Sequence, residues 1–117
     1  MLSVAVEPTS EDLDLVFGAL ADATRRAIVE RLAAGEATVT ELAAPFSVSL
    51  PAISRHLKVL ERASLITRSQ EGRWRHAQLS PAALAGATTW LSQQEQLWTG
   101  RFDRLDDHLA RLQKGRP

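Results

Sequence analysis

The sequence predicts a mainly α-helical fold carrying one small β-hairpin, and three observations carry that prediction. Apolar residues recur at helical spacing through five segments, most of them opened by a side chain able to cap a helix. One stretch, residues 65–79, changes to strand-like patterning on either side of Gly72. Basic residues gather where the helices give way to that hairpin.

Residues 10–37 hold two N-terminal helices. The first, 10–20, opens on Ser10 as N-cap with acids in its first turn, and turns Leu13, Val16, Phe17 and Leu20 inward. Asp22 caps the second, which buries Ile28, Val29 and Leu32 and stops at Gly35. Residues 38–62 form two more. Thr38-Val39-Thr40-Glu41 is a capping box opening a short helix that buries Val39, Leu42 and Phe46, with Pro45 limiting it to little more than two turns. After a brief turn at 47–49, Ser49 caps a helix that tolerates Pro51 in its first turn. It buries Ile53, Leu57 and Leu60 and leaves Pro51, Ser54, Arg55, Lys58 and Arg62 outward. Strands at 65–69 and 73–79 enclose a Gln70–Glu71–Gly72 turn. Ser80-Pro81 starts a last helix running to about 113, on the order of 45–50 Å long. The order of elements is a helix-turn-helix followed by a wing, all within one domain spanning 1–117.

Composition narrows the function. The chain is 44% hydrophobic and 24% charged, has no cysteine, and has no apolar run near the roughly 18 residues a membrane span needs. Disulfides and thiolate metal sites are excluded, and the opening MLSVAVEPTSEDLD lacks the basic region and cleavage site of a signal peptide, so a cytoplasmic protein is expected. Its 14 basic and 14 acidic residues cancel, but unevenly. Residues 49–76 hold Arg55, Lys58, Arg62, Arg68, Arg73 and Arg75 against only Glu61 and Glu71. A local basic stripe matters more to a polyanion than the global sum.

The candidate nucleic-acid contacts follow from that stripe. Arg55 can fork onto guanine O6 and N7, Ser54 reaches base or phosphate, and Lys58 meets phosphate as a point charge. The helix start from Ser49 to Ala52, in which Pro51 alone has no N–H, offers free N–H groups and a positive dipole end to phosphate. Arg73 and Arg75 are expected on one face of their strand with Arg68 across from them, a ribbon suited to phosphate or a minor groove. His56 sits beside the inward positions of its helix, as a satisfied core or phosphate-facing imidazole.

The last helix has a seam. Leu84, Leu91, Trp98, Leu105 and Leu112 recur every seven residues, joined by Phe102 and Leu109. A stripe this long exceeds what so small a domain covers, so Leu84, Leu91, Trp98, Phe102, Leu105 and Leu109 are expected at an interface with a second copy. Glu95 and Gly100 interrupt the seam, which argues against an extended two-stranded coiled coil. Trp90, Trp98 and Phe102 with Phe17 opposite are a second option, an apolar effector pocket; aromatics at helical spacing favour the interface.

The stretch from Phe17 to Pro81 resembles the ArsR/SmtB family of bacterial winged helix-turn-helix repressors, in the segments LADATRRAIVERL, TELAAPFSVSLPAISRHLKVLERASLI and GRWRHAQL. The resemblance implies a homodimer held by its terminal helices that binds an inverted-repeat operator and represses transcription. It places the recognition helix at 49–62, with Ser54, Arg55, His56 and Lys58 where the family faces DNA, and the wing at 65–79 with Arg73 nearest its tip. It also implies release by an effector or a partner protein that reorients the two winged domains. The family's paired cysteines are missing here, where the segment reads Glu41-Leu42-Ala43-Ala44-Pro45. The terminal helix has only His108, near Asp103 and Asp107, so no metal or other cofactor is expected and the chain resembles the cysteine-free, non-metal branch.

Two other classes of function fit these residues less well. An enzyme is not expected: there is no Gly-rich phosphate loop or G-x-S-x-G, and Ser54 and His56, two apart on a helix, face different ways. A winged-helix module that binds protein rather than DNA would have no use for the basic recognition helix. The expected partners are double-stranded DNA with a near-palindromic operator, a second copy of the chain, and an unidentified effector or regulatory protein, with no membrane.

Overall fold

The computed structural model describes residues 8–115, so the expectation that the opening MLSVAVEPTSEDLD is no signal peptide falls in large part outside the described residues. In chain order the elements are α1 (Ser10–Leu20), α2 (Ala23–Ala33), β1 (Ala37–Thr38), α3 (Val39–Ala43), α4 (Leu50–Arg62), β2 (Ile66–Glu71), β3 (Trp74–Leu79) and α5 (Pro81–Lys114). The chain divides into two compact units, one ending at Ala87 and one beginning at Thr88, so α5 contributes to both.

Helix starts are set by side chains that accept orphan backbone N–H groups. Thr9, not Ser10, caps α1: its hydroxyl accepts the N–H of Asp12 at 3.0 Å while the Asp12 carboxylate accepts the N–H of Thr9 at 3.0 Å. Asp12 decides between the two adjacent hydroxyls, because only Thr9 has a carboxylate three residues on. Asp22 caps α2, Thr38 and Glu41 close a capping box on α3, and the Ser49 hydroxyl accepts from Ala52 at the start of α4. α3 is shorter than expected, five residues, with Leu42 and Ala43 buried and Val39 and Phe46 half-buried.

The end of α4 is as defined as its start. The N–H of Leu65 reaches the carbonyl of Leu60 at 3.0 Å and that of Ser64 reaches Glu61 at 2.9 Å, the paired bonds of a Schellman motif. Leu60 and Leu65 are both fully buried, the apolar contact that accompanies such an end. The motif requires a left-handed residue, and Ser64 supplies it at φ 60°, with the Cβ crowding that glycine avoids. Ser64→Gly should therefore raise stability by about 0.5–1 kcal/mol, read as a higher denaturant midpoint at unchanged slope.

The hairpin is larger and shifted relative to expectation. β1 pairs antiparallel with β3 (Ala37 with Ala77, Thr38 with His76), so the sheet has three strands in the order β1-β3-β2, and Ala37 belongs to the sheet rather than to the N-terminal helices. β2 continues through Gln70 and Glu71, and the loop is Gly72–Arg73, with Gly72 at φ 59°. Ile28, Leu42, Ile53, Leu57, Leu60, Leu65 and Ile66 form the floor of the core, each at most 2% exposed. The first turns of α5 add Ala83, Leu84 and Ala87 to it. Among the described residues no helix is long and apolar enough to cross a membrane.

Candidate nucleic-acid interface

α4 is held from beneath and free above. Ile53, Leu57 and Leu60 anchor it in the core at 0% exposure. The opposite face presents Pro51, Ser54, Arg55 and Lys58, spaced i, i+3, i+4 and i+7, of which Pro51, Arg55 and Lys58 are exposed and Ser54 half-buried. Ser49 is exposed at the cap and Ala52 half-buried in the first turn. Val48 and Leu50 are also exposed, 42% and 51%, beside that first turn. Helical spacing assigns Leu50 inward with Ile53 and Leu57, but at the first helical position it has no turn beneath it to pack on.

On the wing, the register decides which side chains meet. Arg68 lies opposite Ala77 and Gln70 opposite Arg75, so by alternation Arg68, Gln70 and Arg75 share one face. With Glu61 they border a shallow hollow beside the C-terminal half of α4. Arg73 does not share a strand face with Arg75 as expected; the shifted turn puts it in the loop, at the tip. The base of the wing is tied down by Ala77 at 0% exposure, by the Ser80 N–H on the Leu65 carbonyl at 2.8 Å, and by His76 Nδ1 at 3.0 Å from Glu36 Oε1.

The cations sort by role. Arg25 and Arg31 are spent on the fold: Arg31 pairs with Glu41 at 3.6 Å, and Arg25 donates from Nε to the Ala19 carbonyl at 2.7 Å and from Nη2 to that of Gly18 at 3.3 Å. Among the described residues no ion pair involves Arg55, Lys58, Arg62, Arg68, Arg73 or Arg75. Six unneutralised cations on one helix face, its end and the adjoining ribbon make a surface for a polyanion.

His56 departs from this set. Its Nδ1 lies 3.2 Å from Nη1 of Arg25, and since a guanidinium only donates, Nδ1 is the acceptor of this contact. Beside the inward positions, as its spacing implies, and not facing outward with Ser54, Arg55 and Lys58 as the resemblance implies, His56 is half-buried and ties α4 to the junction of α1 and α2. Asp22 completes the cluster: the backbone N–H of Arg25 on its carboxylate, with the Arg25 charge behind it, holds its pKa below the ordinary value. Glu41 is lowered in the same sense, first by the backbone N–H of Thr38 and then by its hydroxyl.

The expected self-association residues divide. Leu84 is half-buried against the core of its own chain, whereas Leu91, Trp98, Phe102, Leu105 and Leu109 are exposed on the unit that begins at Thr88, together with Leu112. Trp98 and Phe102 stack obliquely, ring centroids 6.0 Å apart. Leu97, 60% exposed, and Trp90 lie off that seven-residue line. A cleft of about 330 Å³ does lie within the first unit, between α1 and the start of α5, but Leu13, Leu15, Ala83 and Ala87 line it with Arg62 and Ser64. None of Phe17, Trp90, Trp98 and Phe102 lines that cleft. Among the described residues no three His, Cys, Asp or Glu side chains group closely enough to share a metal ion, and His108 with Asp103 and Asp107 makes no such group.

Known proteins share this architecture. Residues 20–69 match the model of a helix-turn-helix domain family. The chain is 50% identical over 86 residues to the HTH-type transcriptional regulator Rv2034 of Mycobacterium tuberculosis, spanning 74% of this chain and 78% of that one. It is 34% identical over 76 residues to the transcriptional repressor SdpR of Bacillus subtilis, spanning 65% and 84%. Among solved structures, an ArsR family transcriptional regulator superposes with a TM-score of 0.75 at 38% identity, over 80% of this chain and 97% of that one. A homodimeric winged helix-turn-helix DNA-binding domain from Mycobacterium bovis gives 0.60 at 26% identity, over 74% and 82%.

Proposed function

The chain belongs to the ArsR family of transcriptional regulators, and on that premise we propose that it is a DNA-binding repressor that works as a homodimer on a near-palindromic operator. The observation that carries the reading is the segregation of charge: among the described residues no cation of α4 or the wing is in an ion pair, while Arg25 and Arg31 are spent on the fold. α4 enters the major groove, where Arg55 forks onto a guanine and Ser54 reaches a base edge or phosphate. Lys58, Arg68, Arg73 and Arg75 hold phosphates, and the capped start of α4 from Ser49 through Pro51 to Ala52 turns the positive end of its dipole on another. His56 acts through Arg25, setting the pose of α4. The exposed apolar stripe from Leu91 to Leu112 pairs with a second copy. A two-fold dimer sets its recognition helices about 34 Å apart, one helical turn of DNA. A protein-binding module would not keep so exposed and unneutralised a basic helix.

Salt tests the electrostatic half of this reading. Each phosphate neutralised releases counterions, so the logarithm of affinity should fall with the logarithm of salt at a slope on the order of −5 to −10 for the dimer. Titration of operator duplex at several salt concentrations gives that slope. A flat response contradicts DNA binding through this face.

A further inference from the structure

One wing side chain is explained neither by the fold nor by the charge pattern. Trp74 forms the last cross-strand pair before the Gly72–Arg73 loop, opposite Glu71, and 61% of its surface is open. Among the described residues no ring stacks on it. An indole left in water at a hairpin tip forgoes the burial that rewards tryptophan elsewhere, so its place is not accounted for by stability. Its neighbours on both sides are the unpaired cations Arg73 and Arg75.

Alternation puts Trp74 and Arg75 on opposite faces of the ribbon, with Arg73 between them at the tip. The tip thus offers a flat apolar surface on one face, beside the loop cation Arg73 and the cross-strand neighbour Glu71, with the Arg75 charge on the other face. Duplex DNA offers the complement, apolar deoxyribose rings between phosphates, and a minor groove about 6 Å wide that admits side chains from a hairpin tip but not the ribbon. A protein partner would need an acidic rim around an apolar slot; the backbone of DNA repeats that arrangement at every nucleotide. We propose that Trp74 is a DNA-contact residue whose indole packs on deoxyribose at the edge of the minor groove while Arg73 and Arg75 hold the flanking phosphates. This rests on the operator-binding reading above and adds an uncharged contact to it.

The test uses the full chain, a bound duplex and the variants Trp74→Ala and Trp74→Phe. Trp74→Ala should weaken binding roughly tenfold at fixed salt, with the salt slope unchanged because no charge is lost, and Trp74→Phe should keep most of the affinity. Fluorescence of the wild type minus that of Trp74→Phe isolates this indole from Trp90 and Trp98, and its quenching by acrylamide should drop when duplex is added. Wild-type affinity in Trp74→Ala, an indole equally quenchable in the complex, or an affinity loss that tracks dissociation of the dimer in sedimentation would each overturn the proposal. A wild type that binds no duplex would instead defeat the functional reading on which it rests.

Discussion

Leu105→Glu should separate the dimer and lower operator affinity by at least about 100-fold, although the substitution lies far along the chain from every proposed DNA contact. Leu105 is half exposed in the middle of the Trp98, Phe102, Leu109 and Leu112 stripe, and Leu91 continues the same line toward the start of the second unit. A carboxylate there costs the single chain almost nothing, since the position faces water. In a dimer it buries a charge beside its own copy, which costs several kcal/mol per ion. Losing the second half-site removes the effective-concentration gain of linked binding, about 10²–10⁴. Sedimentation equilibrium should give a monomer with unchanged helix content. A variant that remains a dimer, or a monomer that binds the full operator as well as the wild type, would contradict self-association through this stripe.

Arg55→Ala should cost about 1–3 kcal/mol of operator affinity, roughly 5- to 150-fold, and relax base preference at one position in each half-site. Arg55 is the cation nearest the centre of the exposed α4 face, between Ser54 and Lys58 and one turn from Pro51. A guanidinium that reads a guanine loses specificity and affinity together. Lys58→Ala serves as the control: a phosphate contact weakens binding evenly across sequences and reduces the salt slope by about 1 per protomer. Competition binding with single-base operator variants separates the two patterns. If Arg55→Ala lowers affinity for all duplexes equally, Arg55 is a phosphate contact and base reading lies elsewhere on α4.

The parts of the molecule legible in its sequence are those with local causes. Asp22, the Thr38–Glu41 box and Ser49 each satisfy backbone N–H groups within three residues, and all are where the residue types imply. The Thr9 cap was equally local, marked by Asp12, and its signal is visible once the two hydroxyls are compared. The other departures involve partners distant in sequence. β1 is two residues long and exists only because β3 pairs with it, a cause some forty residues away. The Arg25–His56 contact spans 31 residues, so the spacing of α4 alone could not say that His56 is occupied. Leu84 fits the seven-residue line of α5 perfectly well, yet it lies where that helix still packs on the core of its own chain. The change in the wing turn matters most for the site: β2 runs to Glu71 and β3 starts at Trp74, so Arg73 leaves its strand for the loop at the tip, where the resemblance had it, and Trp74 is left as the open end of the ribbon.

Selection of bound duplexes from a random library, with the purified chain at fixed near-physiological salt, addresses the central claim most directly. The account predicts enrichment of a two-fold symmetric motif with half-sites about one helical turn apart, each with a guanine at an invariant position that Arg55→Ala no longer selects. Enrichment of no motif from a folded dimer would contradict it, and would mean that the basic face of α4 and the wing serves something other than reading an operator.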